Sequence, residues 1–130
     1  MHDLQKAMAS ASSAMSAQSV RLRLVSENIA NAETPGYRRK LTSFETEAMR
    51  DSGVMRVRTG PVRLSEAVFR QQYSPAHPMA DDEGMLSLSN VDPLIELADA
   101  REAQRSYEAS LGMFDRARRM HGSMLDLLRR

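Results

Sequence analysis

A chain of 130 residues with a formal net charge of +1 has the length of one ordinary domain and lacks the basic excess of a general nucleic-acid binder. It contains no Cys, which excludes disulfide scaffolds, Cys-based zinc sites and thiol catalysis. With ten Met, no Trp and 5% aromatic residues, few large rings are available to anchor a compact core. Close, adaptable helix packing through Met and Ala takes their place.

The first predicted element is a helix from about Leu4 to Ala30. Leu4, Met8, Ala11, Met15, Gln18, Leu22, Val25 and Ile29 follow one another at alternating steps of four and three. That is a heptad seam, the pattern of a helix packed along its length. The polar Gln18 inside it is the kind of residue that fixes register at a cost in stability. The window Ala9 to Ala17 holds only Ala, Ser and Met, which lets another backbone come close. The start of the chain has no basic stretch leading into an apolar run, so no cleaved signal peptide is expected. No window approaches the roughly 18 consecutive apolar residues of a membrane-spanning helix.

The helix is expected to stop at Asn31, a residue that accepts a left-handed cap. Thr34-Pro35-Gly36-Tyr37 then reads as a type II turn, with Pro presetting φ and Gly supplying φ > 0. Residues 38–91 form an irregular middle. Phe44 to Arg50 reads as a short helical turn. Val54 to Arg58 and Val62 to Leu64, around Thr59-Gly60-Pro61, read as a small β-hairpin. Tyr73 to Gly84 reads as an extended loop.

The last element is a second helix from residue 93, with Asp92 as N-cap and Pro93 in the first turn. Its predicted stripe is Leu97, Ala100, Gln104, Tyr107, Leu111 and Phe114, shifting near Phe114 to Met113, Ala117, Met120, Met124 and Leu127. The expected fold is therefore mainly α. Two long helices pack as an antiparallel coiled-coil-like pair, with residues 1–37 and 92–130 at the ends and 38–91 between them. Such a pair buries one side of each helix and leaves the chain short of core, so partner chains are expected to complete it.

Catalytic signals are thin. His77 near Asp81, Asp82 and Glu83 lacks a second His or Cys at ligand spacing, and Pro75 and Pro78 flank it as in a structural loop. No nucleophile elbow or phosphate-cradling Gly loop is present. No enzyme, cofactor or metal site is expected. Tyr37-Arg38-Arg39-Lys40 is a compact basic cluster, read as salt-bridging or solvated rather than as a nucleic-acid contact.

The string Ser26-Glu27-Asn28-Ile29-Ala30-Asn31-Ala32-Glu33-Thr34-Pro35-Gly36-Tyr37 resembles the N-terminal signature of the flagellar basal-body rod and hook proteins. Tyr73 to Pro78, Ala80-Asp81, Gly84, Asn90-Val91-Asp92, Glu96 and Arg105 to Ala109 resemble the proximal member of that family. Two positions depart from its pattern. Ser89 stands where Pro usually precedes Asn-Val, and the short Thr-Pro-Gly-Tyr turn is more like the sister protein FlgB. The resemblance implies a structural rod subunit that transmits motor torque and lines an export channel. It implies self-association, partners FlgB, FlgF, FlgG and FliE, and passage through the flagellar export apparatus to the periplasm without signal cleavage. The alternatives are another rod-family member such as FlgB, or a helical adaptor outside the flagellum. Expected assembly residues are Met15, Gln18, Leu22, Val25, Asn28, Ile29, Asn31, Pro35, Gly36, Tyr37, Asn90, Tyr107, Leu111 and Phe114.

Overall fold

The computed structural model describes residues 2–130. Helix α1 runs His2–Ala30 and helix α2 runs Pro93–Leu128, 29 and 36 residues long. At 1.5 Å per residue they extend about 44 and 54 Å. They lie antiparallel: Asn28 meets Glu96, while Arg21, two turns earlier in α1, meets Asp99 and Glu102 further along α2. Helix α2 starts as its sequence dictates. The Asp92 side chain accepts the Leu94 amide, and Pro93 sits where no helical amide is needed.

The middle holds six short strands: β1 (Lys40–Leu41), β2 (Phe44–Ala48), β3 (Met55–Thr59), β4 (Arg63–Leu64), β5 (Gln71–Tyr73) and β6 (Met85–Ser87). They form three antiparallel pairs, β1 with β4, β2 with β3 and β5 with β6. The expected hairpin partner is thus displaced. Val54 to Arg58 pairs with β2, which replaces the expected helical turn at Phe44 to Arg50. Opposite charges face each other across the pair. Glu45 and Glu47 stand opposite Arg58 and Arg56, and the Arg58 guanidinium reaches both carboxylates. Gly53, at φ +65°, makes the turn before Val54. Thr59-Gly60-Pro61 instead ends β3 and sends the chain across to β4. The extended loop after Tyr73 closes the β5–β6 pair.

The β2–β3 hairpin leans on α1 by one edge. The Ser10 hydroxyl donates to Met55 O, and the Ser13 hydroxyl accepts the Val57 amide at 3.0 Å. The small Ala/Ser window of α1 therefore receives a strand edge of its own chain and covers it. The exit from α1 differs in detail from expectation. No non-glycine residue among those described has a positive φ, so Asn31 does not adopt a left-handed cap. Its side-chain amide donates to Glu27 O at 2.8 Å and satisfies the helix end that way. The next turn is as expected: Gly36 sits at φ +72° and the Tyr37 amide donates to Thr34 O at 3.2 Å.

The interhelical seam is made of small residues. Ala11, Ala17, Ala103 and Ala117 are buried, Ala103 completely. Small side chains let the two axes approach closely. On α2 the predicted stripe is off by one position at its start. Ala100, Tyr107 and Phe114 are half-buried as expected, but Leu97 and Leu111 are exposed, while Glu96 and Ala103 face inward. Periodicity ranked Leu97 above Glu96 because it priced Glu96 as a charge, and the structure neutralises that charge. Most other buried residues gather at one end of the pair: Leu24, Val25, Asn28, Ala32, Leu86, Ser89 and Val91. Protection from hydrogen exchange should follow this gradient. Amides around residues 24–32 and 96–103 should exchange slowest in mass-spectrometric exchange, roughly a hundredfold slower than those of residues 2–10 and 118–128. Uniform protection along both helices would refute the one-ended core.

Candidate functional site

The well-packed end is organised by a polar clasp. Asn28, on the last full turn of α1, is 1% exposed. Its side-chain oxygen accepts the Lys40 amide at 2.9 Å and the Tyr37 hydroxyl at 3.0 Å. Its side-chain nitrogen donates to Lys40 O at 3.0 Å and to Glu96 Oε2 at 3.2 Å. An Asn amide offers two donors and two acceptor sites, and all four are used. The Pro35-Gly36 turn makes this possible by reversing the chain so that Tyr37 to Lys40 return along α1.

Glu96, in the first turn of α2, has no exposed surface. Its second oxygen accepts from Arg39 Nε, and the same guanidinium reaches Asp99 Oδ2 at 2.8 Å. Asp99 also accepts from Arg21 at 3.2 Å, and Arg21 continues to Glu102 at 3.4 Å. A buried carboxylate is tolerated only when paired and hydrogen-bonded, and Glu96 is both. The result is a chain of alternating charge that ties α1, the exit segment and α2 together.

Asn90 closes the clasp from the α2 side. Its oxygen accepts the Arg39 amide at 2.6 Å, and its nitrogen donates to Ser65 O and Ala67 O at 3.1 and 3.0 Å. The fully buried Ser89 hydroxyl donates to Ala32 O at 2.7 Å and accepts the Val91 amide at 3.1 Å. It bridges the α1 exit to the α2 entry, in the place where the family pattern carries Pro.

The basic cluster after the turn is consumed by these contacts. Arg38 donates to Ser65 O and lies 4.5 Å from the centre of the Phe69 ring. Lys40 pairs with Glu27 at 2.9 Å. That hydrogen bond holds the Glu27 carboxyl below its ordinary value and the Lys40 ammonium above its own. The Glu27 contribution is present above the ordinary carboxylate value and fades as pH falls through the lowered one. The Lys40 contribution is present below the ordinary lysine value and fades as pH rises through the raised one. Burial raises the Tyr37 hydroxyl above its ordinary value.

The predicted assembly residues divide by position. Asn28, Tyr37 and Asn90 meet in the clasp, and Asn31, Pro35 and Gly36 shape the turn beside it. Met15, Gln18, Leu22, Tyr107 and Phe114 are half-buried along the helices, and Val25 is buried. Gln18 Oε1 is buried without a hydrogen-bond partner. Ile29 and Leu111 are 42% and 41% exposed. Of the other clasp residues, Glu96 and Ser89 enter the sequence reading only through the family pattern, Arg39 and Lys40 only as a basic cluster, and Asp99 not at all. His77 is occupied by its own loop: its Nδ1 accepts the Met79 amide at 3.1 Å. Among the described residues no group of three or more His, Cys, Asp or Glu is placed to hold a metal.

This geometry is that of a structural subunit, a clasped pair of long helices with much apolar surface left outside. Comparison with known proteins agrees. Residues 8–38 match the family described as flagella basal body rod protein, and residues 82–127 match the flagellar basal body rod FlgEFG protein C-terminal family. The flagellar basal-body rod protein FlgC of Agrobacterium fabrum is 44% identical, over 99% of this chain and 98% of its own. FlgC of Aquifex aeolicus is 35% identical over 88% and 89%, and FlgC of Salmonella typhimurium 32% over 85% and 87%. The chain belongs to the FlgC family of flagellar basal-body rod proteins. It is a structural component of the rod, assembling with other rod components, and none of its described helices is long and apolar enough to cross a membrane.

Replacing Asn28 by Ala leaves Glu96 Oε2 and both Lys40 backbone groups without their partner. The expected cost is about 3 kcal/mol in urea denaturation followed by the helical signal. Glu96→Gln, which weakens the pairing to Arg39 at a fully buried position, should cost a similar amount, about 3 kcal/mol. A cost below about 0.5 kcal/mol for both would remove the clasp as the organising feature.

Proposed function

We propose that this chain acts as a mechanical element of the proximal rod: its helix pairs stack with those of neighbouring subunits around the export channel and carry motor torque to the hook. FlgB, FlgF, FlgG and FliE are the expected neighbours. Delivery runs through the flagellar export apparatus to the periplasm without signal cleavage. The chain performs no reaction in this reading.

One observation carries the proposal. The chain exposes 9112 Å², whereas a compact monomer of 14.6 kDa exposes about 6,900 Å². Large apolar residues are among what is exposed, and many lie along α2, where Leu94, Leu97, Met113, Met120, Leu127 and Leu128 are all exposed. A helix pair with large apolar residues outside and Ala inside is arranged to be completed by neighbours. The clasp suits torque transmission, since it fixes the start of α2 against the end of α1 through a fully satisfied buried network.

Deleting the gene in its flagellated host should abolish the rod and motility, and restoring the intact chain should recover both. Asn28→Ala should restore them only partially, read as swimming-halo diameter and as rods counted in isolated basal bodies. Intact flagella after deletion would favour a helical adaptor outside the flagellum.

A further inference from the structure

The loop between β5 and β6 and the outer face of α2 carry matching, unused chemistry. The loop, residues 74–84, is ordered by its own hydrogen bonds. Ser74 N donates to Gly84 O at 2.8 Å, His77 N to Ser74 O at 3.0 Å and Ala80 N to His77 O at 3.0 Å. Asp81 Oδ1 accepts the amides of Glu83 and Met85 at 3.0 and 2.8 Å. Its shape is therefore set before any partner arrives, which lowers the entropy cost of binding. Met79 is 63% exposed on this loop. The carboxylates of Asp82 and Glu83 are exposed and enter no ion pair among the described residues.

On α2, Leu94, Leu97 and Ala98 share one helix face with Arg101, Glu102 and Arg105. Leu94 and Leu97 are 74% and 45% exposed. Arg21 draws Glu102 toward α1 at 3.4 Å. Arg101 and Arg105 form no ion pair among the described residues, so the uncompensated charge of this face is positive.

We propose that the 74–84 loop of one copy of this chain seats Met79 on Leu94 and Leu97 of a second copy, with Asp82 and Glu83 facing Arg101 and Arg105. Met adapts well to an exposed apolar surface, and opposite charges beside it fix register and partner choice. The two patches differ, so the contact is heterologous. A copy that donates its loop still offers its own α2 face, and the contact repeats from copy to copy. The proposal rests on the rod-subunit reading and names one self-contact within it.

The absence of Cys makes the test direct. Met79→Cys and Ala98→Cys are made in separate chains, mixed and oxidised mildly, so that a 79–98 disulfide forms only between copies. The mixed disulfide should exceed each homodisulfide by about tenfold. Adding Asp82→Lys and Glu83→Lys to the first chain should cut its yield about tenfold, and adding Arg101→Glu and Arg105→Glu to the second should restore it. All four positions are solvent-exposed, and circular dichroism of each variant checks its fold. A statistical mixture of disulfides, or a yield indifferent to the charge reversals, overturns the contact. Motility restored by each single-Cys chain tests the rod reading separately. Motile cells without a favoured 79–98 disulfide would keep that reading and discard this surface.

Discussion

A carboxylate with no exposed surface has to be answered by the rest of the fold, and Glu96 sets the terms here. Its two oxygens are met by Arg39 and Asn28, residues from the exit segment and from α1. Arg39 reaches it only because the Pro35-Gly36 turn folds the exit segment back along α1. Asn28 reaches it only if α2 begins level with the last turn of α1. One buried charge thus fixes the axial register of two long helices and the path of the segment between them. Ser89 and Asn90 reinforce that register by tying the α2 entry to Ala32 and Arg39. A buried ion pair is weak evidence of stability but a plausible device for specifying a single arrangement.

Beyond the clasp the pair continues as two levers with an Ala-lined seam. Ala contributes little buried area, so stability per turn falls along the helices away from Glu96. The large apolar residues that would repair this lie outside, on the faces of α2 that α1 does not cover. A soluble monomer seldom carries so much apolar surface without a use for it. In the function proposed above, the same surface would be covered by neighbouring subunits, with the clasp holding each pair where it joins its middle segment.

Much of this was legible locally. The Asp92-Pro93 start of α2 and the Thr-Pro-Gly-Tyr turn are decided within four residues, and both are found as read. The helix lengths follow from long periodic runs. The strand pairing was misplaced because Gly60-Pro61 looks like a hairpin turn, whereas the cross-strand charges of β2 and β3 act over a longer separation. Asn31 was read by its conformational tolerance and works through its side chain instead. The clasp itself was half visible. Asn28, Tyr37, Asn90 and Glu96 all fall within the family signature. Arg39 and Asp99 join them only once 57 or more residues of intervening chain are folded. A helical pattern that scores Glu as polar assigns it to solvent, and nothing local says otherwise.

The central claim is that the clasp alone holds one end of the helix pair while neighbours complete the rest. Far-UV circular dichroism of the purified chain at micromolar concentration, with its mass checked by analytical ultracentrifugation, tests it most directly. The account predicts a monomer whose helix content falls well short of the 29 and 36 residues of α1 and α2, rising to that level as subunits associate. A fully helical monomer that unfolds in one cooperative step would contradict it.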